Sequence, residues 1–219
     1  MAEPGASQPA AMVGSHFGVE AHGVVLAELI TTACWNVQGD STRGEFAAEF
    51  ERHFGVVPLP VANTAARGER WTALWLGPRS WLLFADSRLA MPTPDAFTTT
   101  RDALNLHGDA LFDTSTARVG FAVGGEHAAS VLAKSCPLDL HPAAFAAGSC
   151  AQSVLGHVNV LLYRPESTAM FVLMAARSLA GDVWRTLCRS AAQYGVDVLP
   201  PVVFGENFAT RTASLGEMS

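Results

Sequence analysis

The chain has 219 residues, 49% of them apolar, and sets 20 Asp and Glu against 14 Lys and Arg for a formal net charge of −6. No block of Lys or Arg occurs, which excludes the electrostatic footprint of a nucleic-acid binder, and no run of eighteen uncharged apolar residues offers a membrane-spanning helix. The apolar fraction is that of a globular protein with a sizeable core, so disorder is excluded for the bulk of the chain.

In chain order, the first fifteen residues are rich in Ala, Gly, Pro and Ser and carry neither a basic n-region nor an apolar stretch of signal-peptide length. Residues 1–20 are therefore expected to form a flexible arm, and the protein to be cytoplasmic. Val24–Ile30 is an apolar run of strand length. Thr42-x-x-Glu45 has the form of a capping box opening a helix in which Phe46, Phe50 and Phe54 recur every four residues before Gly55. Residues 71–76 and 81–85 are aromatic-rich runs parted by Gly77-Pro78, the punctuation of a hairpin. Thr93-Pro94-Asp95 supplies an N-cap, a proline at the first helical position and an acid suited to the dipole, with Gly108 closing that helix before a strand at Leu111 and Phe112.

After Thr114 the order repeats, with a strand at residues 118–123, a helix at 126–134, a long strand at 152–163 and its neighbour at 169–175. A helix at 178–194 carries Leu179, Val183, Trp184, Leu187, Cys188 and Ala191 on one face, and Gly195 caps it before a strand at 196–199. Each half spells β-α-β-β-α-β, the split βαβ order, so the expected fold class is α+β with two tandem ferredoxin-like units. The expected divisions are 21–112, 113–203 and a C-terminal tail at 204–219. No sequence repeat accompanies this topological duplication.

One segment fits no regular period. Cys136-Pro137-Leu138-Asp139-Leu140-His141-Pro142 is followed by Phe145 and by Gly148-Ser149-Cys150-Ala151-Gln152; its two prolines forbid a continuous helix, and it has the look of a shaped connector. The segment, preceded by Ala128, Val131, Leu132, Ala133 and Lys134, resembles a signature of the gamma subunit of heterotetrameric sarcosine oxidase. Three further runs are similar to that family: Leu76-Gly77-Pro78-Arg79-Ser80-Trp81-Leu82-Leu83, then Asp113-Thr114-Ser115-Thr116-Ala117-Arg118-Val119, and Arg177-Ser178 leading to Trp184 and Leu187. The resemblance spans residues 55–195.

The resemblance implies a fold like that of the folate-binding aminomethyltransferase of glycine cleavage. It implies an accessory, non-catalytic subunit whose partners are alpha, beta and delta subunits. That complex demethylates sarcosine oxidatively to glycine, forming hydrogen peroxide and, with tetrahydrofolate, 5,10-methylenetetrahydrofolate. FAD, FMN and NAD would be held by the larger subunits and no cofactor by this chain. The alternatives are an independent folate-binding or aminomethyl-transfer protein, and a subunit of a related oxidase or dehydrogenase acting on dimethylglycine or N-methylglutamate.

Independently of the resemblance, Asp139, His141 and Cys150 or Cys136 could form an orienter, base and thiol, which would make the chain a cysteine-dependent enzyme marked by a depressed thiol pKa. The structural alternative has the Asp139 carboxylate accepting backbone hydrogen bonds in a turn and the His141 ring capping or packing on the same connector, leaving both as connector or partner-contact residues. Cys34, Cys136, Cys150 and Cys188 form no C-x-x-C and fit reduced thiols, and no metal-ligand spacing appears. Gly77-Pro78 and Gly124-Gly125 lack any phosphate-loop fingerprint and are assigned to turns. Trp71, Trp75 and Trp81 are expected in the core or at a partner interface, Trp184 in the core, and Trp35 in a less regular segment. Arg118 and Arg177, at strand ends, could clamp a carboxylate or make exposed ion pairs.

Overall fold

The structure, a computed structural model, describes residues 13–86, 92–165 and 170–203. The expected tail at 204–219 and the first twelve residues of the expected arm lie outside the described residues. The strands are β1 (His16–Phe17), β2 (Val24–Ile30), β3 (Cys34–Gln38), β4 (Ala65–Arg67), β5 (Trp71–Gly77), β6 (Ser80–Ala85), β7 (Ala110–Asp113), β8 (Arg118–Gly124), β9 (Cys150–Leu155), β10 (Val158–Tyr163), β11 (Met170–Ala176), β12 (Val196–Val198) and β13 (Val202–Val203). The helices are α1 (Gly44–Phe54), α2 (Pro94–Asn105), α3 (Ala128–Ala133) and α4 (Ala180–Ala191).

The fold is α+β, in two sheets. The smaller has the order β4-β5-β6-β3-β7, and the larger runs β1-β12-β2-β8-β11-β10-β9 with β13 beside β2. In the smaller sheet, β3-α1-β5-β6-α2-β7 is a split βαβ unit with β4 added at one edge. Its first strand is β3, not the expected Val24–Ile30. β2 instead lies in the larger sheet between β12, to which it is parallel, and β8, to which it is antiparallel. The strand run β8-β10-β11-β12 of the second half thus opens to admit a strand from the first. His16 and Phe17, within the expected arm, pair with Asp197 and Val196.

The reason β2 crosses is its sidedness. Val24 and Leu26 enter one core while Val25, Ala27 and Leu29 enter another, so the strand is buried on both faces, as a run apolar at every position but Glu28 requires. The same alternation sorts the rest of the larger sheet. Phe121, Val123, Leu162 and Leu173 face α3 and α4, whereas Ala122, Leu161, Tyr163, Val172 and Met174 face the smaller sheet. From the smaller sheet, Cys34, Leu74, Leu82 and Phe84 enter that shared layer, while Trp35, Val37, Trp71, Trp81 and Leu83 pack on α1 and α2. The result is four layers, helices outside and two sheets inside, with Phe84 meeting Tyr163 edge-on across the middle at a centroid distance of 6.1 Å.

Local departures have local causes. The capping box does not form, because the Asp40 carboxylate takes the Thr42 hydroxyl at 2.6 Å and the Thr42 N–H at 3.0 Å, and α1 begins at Gly44 behind Arg43. Thr93 does cap α2, accepting from the Ala96 N–H. Trp35 sits in a regular strand, with the buried Trp35 and Val37 alternating with Asn36 and Gln38. The expected long strand at 152–163 is a hairpin, turned at Gly156 (φ 64°). The final helix is α-helical only over Ala180–Ala191, flanked by 3-10 turns at Arg177–Leu179 and Ala192–Tyr194. Leu179, expected on its apolar face, is 36% exposed. Gly195, at φ 71°, is required, since a Cβ there would meet the Ala21 carbonyl oxygen at 1.4 Å.

His53 joins α1 to α2. The Thr100 hydroxyl donates to the Ala96 carbonyl at 2.8 Å, so it accepts from His53 Nδ1–H at 3.1 Å, and His53 Nε2 accepts from Arg52 at 2.7 Å. Thr100 and Arg52 fit the neutral ring, and although Glu49 Oε2, 3.4 Å from Nε2, favours the charged one, burial, reinforced by the Arg52 charge, holds its pKa below 6.5.

Two outcomes are expected. Phe84→Ala, which empties the middle layer, lowers unfolding free energy by about 3–5 kcal/mol in urea titrations, at unchanged slope. For His53, the unfolded chain takes up a proton near 6.5 while the folded chain resists it to lower pH, so stability is present in full above that value and is lost as pH falls through the depressed folded one. Urea midpoints recorded from neutral to mildly acidic pH fall less steeply in His53→Gln.

Candidate functional site

The connector leaves α3 with the Ser135 and Cys136 N–H groups both donating to Leu132 O and then makes a turn in which Ala144 and Phe145 donate to His141 O. Leu140 and Phe145 are buried, and Phe145 stacks on Phe171 at 6.3 Å while Arg164 Nη1 holds the Phe145 carbonyl at 2.7 Å. Asp139 Oδ1 accepts from the His141 N–H at 2.9 Å, and His141 Nδ1 accepts from the Ala143 N–H at 3.2 Å. Both side chains are engaged with the backbone of their own turn.

The end of the connector reaches the other sheet. Ala65 N–H donates to Gly148 O and Cys150 N–H to Asn63 O, each at 2.9 Å, and Thr64 bridges Ser149. Cys150 Sγ lies 3.1 Å from Thr64 O, and Gln152 Nε2 donates to Leu76 O at 2.7 Å. The Gly148-Ser149-Cys150-Ala151-Gln152 run therefore latches β9, an edge of the larger sheet, onto β4 and β5 of the smaller one.

The crossover between sheets, from β7 to β8, is built the same way. Asp113 Oδ1 accepts from the Ser115 N–H at 2.9 Å and hydroxyl at 2.5 Å; the Ser115 oxygen in turn accepts from the Cys34 N–H at 2.9 Å, and the Thr114 hydroxyl donates to Cys34 O at 2.8 Å. Arg177 spans the far side, Nε donating to Thr116 O at 3.1 Å and Nη2 to Arg118 O at 2.7 Å. Its guanidinium thus rests on backbone carbonyls rather than in the clamp or exposed ion pair considered from sequence. Arg118, half-buried at the start of β8, sets its charge against the rise that burial imposes on the Cys34 thiol.

The thiols are not arranged as a nucleophile. Cys136 Sγ faces the Ser153 hydroxyl at 3.6 Å, and Cys150 faces backbone carbonyls, so the structure brings His141 to neither. Burial pushes Cys34 and Cys150 up to about 11, the opposite of an activated thiolate.

A different convergence went unseen in the sequence. His16, opposite Asp197 in the β1–β12 ladder, sets Nδ1 2.9 Å from Asp197 Oδ1, and His22, on the loop before β2, sets Nδ1 2.8 Å from Oδ2. His16 Nε2 donates to Val19 O at 2.8 Å. Hydrogen bonds to Asp197 and then to Val19 raise the His16 pKa above 6.5. The two histidines stand six residues apart and the carboxylate far downstream, so no local motif announces the cluster.

Thiol accessibility follows from this geometry. At neutral pH, Cys34 and Cys150 react with an aromatic disulfide reagent only on the timescale of unfolding, and denaturant restores reaction at all four cysteines. A fast burst from either buried thiol in the native protein would contradict the assignment.

Residues 38–193 match the model of the family described as sarcosine oxidase, gamma subunit. The chain is 32% identical over 120 residues to sarcosine oxidase subunit gamma of Corynebacterium sp. strain U-96, covering 55% of this chain and 56% of that protein, little more than half its length. It is 30% identical over 162 residues to the strain P-1 counterpart, covering 73% of this chain and 76% of the other. Among solved structures, a chain of the heterotetrameric sarcosine oxidase from Corynebacterium sp. U-96, in complex with pyrrole 2-carboxylate, superposes with a TM-score of 0.76 at 25% identity, over 89% of this chain and 96% of that one. The glycine cleavage aminomethyltransferase of Bartonella henselae shares the fold at a TM-score of 0.58 and 13% identity, over 82% of this chain and 48% of that one. The matched span takes in the connector, the crossover and strands of both sheets, and the chain belongs to the sarcosine oxidase gamma subunit family.

Proposed function

We propose that this chain is the accessory, non-flavin gamma subunit of a cytoplasmic heterotetrameric sarcosine oxidase, with alpha, beta and delta subunits as its partners. The observation that carries the reading is the likeness over 96% of a chain taken from such a heterotetramer, joined to family membership. The complex would oxidise sarcosine at its CH–NH bond and release glycine, with hydrogen peroxide and 5,10-methylenetetrahydrofolate as further products. FAD, FMN and NAD would be carried by the partners, and this chain has no dinucleotide fingerprint. Of the two arginines that could clamp a carboxylate, Arg177 is committed to the carbonyls of Thr116 and Arg118. No helix among the described residues is long and apolar enough to cross a membrane.

The chain's contribution would then be a surface. β7 ends the smaller sheet, Phe112 on it is 51% exposed, and Leu106 in the turn leading to it is 85% exposed. An edge strand flanked by uncovered apolar side chains is a natural partner seat. Asp139, His141 and Arg118 are proposed as connector and partner-contact residues, the first two exposed on their turn.

The test is co-expression with the partner subunits, pull-down through this chain, and size exclusion with mass spectrometry and a visible spectrum. Larger, flavin-coloured subunits are expected to co-elute and to oxidise sarcosine faster than dimethylglycine or N-methylglutamate; a colourless lone chain under gentle conditions overturns the reading. Phe112→Asp is expected to weaken assembly about tenfold or more, as a central interface residue does, without lowering the thermal midpoint of the chain.

A further inference from the structure

Some side chains converge without serving either sheet junction. Among the described residues, His16, His22 and Asp197 form one group whose ligand atoms all lie within 4.8 Å of one another. Two come from directly paired positions of a ladder and the third from the loop that follows it. Ligands carried on paired strands are held more precisely than ligands on free loops.

The hydrogen-bond inventory makes a demand at this point. The Val19 carbonyl can only accept, so His16 Nε2 carries a proton; Asp197, as a carboxylate, can also only accept, and it faces His16 Nδ1 at 2.9 Å. A positive centre is needed between Nδ1 and the carboxylate, either a second proton or a cation. His22 Nδ1 approaches the same carboxylate at 3.1 Å from Oδ1 and 2.8 Å from Oδ2, so two imidazoles of one tautomeric sense aim at one acceptor. A proton on His16 needs no second histidine. A metal does, and an Nε2–H held by a backbone carbonyl is the usual support of an Nδ1 ligand. Zinc with nitrogen and oxygen ligands at about 2.0–2.1 Å in a tetrahedron separates them by about 3.3 Å, a small outward adjustment for the two histidine–carboxylate pairs at 2.9 and 2.8 Å within a group that spans no more than 4.8 Å.

We propose that His16 Nδ1, His22 Nδ1 and the Asp197 carboxylate bind one zinc-class divalent cation, with the fourth position open to water, pinning the segment before β2 to β12. Side-chain exposures of 31% for His16, 58% for His22 and 14% for Asp197 leave an open approach from solvent. The set is two nitrogens and one carboxylate, which suits zinc and disfavours magnesium or calcium.

The experiment titrates zinc into the metal-stripped full-length chain by calorimetry, with native mass spectrometry for stoichiometry and imidazole NMR for the ligand atoms. One equivalent is expected to bind, to raise the thermal midpoint, and to shift the Nδ1 resonances of His16 and His22 while His16 Nε2–H persists. His22→Ala and Asp197→Asn are expected to weaken binding about tenfold or more, and His157→Ala, in the exposed β9–β10 turn, to leave it unchanged. Absence of one-to-one binding, or binding indifferent to His22→Ala in a chain that still melts cooperatively, means that a proton alone holds the cluster and overturns the proposal. His22 is exposed, so its substitution tests the site without threatening the fold.

Discussion

Everything else in this molecule is conditioned by the dry layer between its two sheets. The larger sheet has α3 and α4 on one face and the smaller sheet on the other, so its central strands present no face to water. That explains why Met170–Ala176 reads as an unbroken apolar run and Val24–Ile30 as one broken only at Glu28. It also confines most polar chemistry to strand ends, edges and connections. A catalytic centre in the middle of either sheet would have to bury polar groups where Leu82, Phe84, Leu161 and Tyr163 now pack.

Several of the residues that carry the family resemblance fall at the places where the two sheets are joined. Gly148 through Gln152 latches β9 to β4 and β5; Asp113, Thr114 and Ser115 bind the Cys34 backbone at the crossover; Arg177 holds the other side of that crossover. A four-layer fold with two sheets has a degree of freedom that a single sheet lacks, the placement of one sheet on the other, and side-chain packing alone leaves it soft because apolar contacts are not directional. Hydrogen bonds are directional, and these junctions supply them. Much of that sequence signature thus serves geometry, in keeping with the proposed assembly role.

The sequence carried the elements better than their partnerships. Periodicity located all four helices and most strands, because sidedness is local. It could not assign β2 to the larger sheet, since a strand apolar on both faces fits any central position. It lost β3, whose Trp35 and Val37 alternate with Asn36 and Gln38, because the run is short and has no turn signal at its start. The capping box failed for a similar reason: Asp40, just upstream, is a stronger acceptor than the pattern allowed for. Cys150 and His141 are close in sequence, which invited a catalytic reading, yet the turn at Pro142 aims them apart. His16, His22 and Asp197 are remote in sequence and meet only because β12 returns beside β1, a fact of topology that no spacing encodes.

The latch also gives the molecule a direction. It closes the end where β9 of the larger sheet meets β4 and β5 of the smaller one, and there the backbone is already bonded across the sheets. The opposite ends of the two strand orders are β1 and β7. Those ends carry what the interior excludes: Phe112 and Leu106 uncovered beside β7, and the two histidines facing Asp197 beside β1. Arg177, one of the two arginines that could clamp a carboxylate, instead braces the crossover, and burial pushes the Cys34 and Cys150 thiols up to about 11. Chemistry with the outside is left to the sheet ends. An assembly role and a cation site are therefore compatible uses of one architecture, because each draws on an end that the latch leaves free.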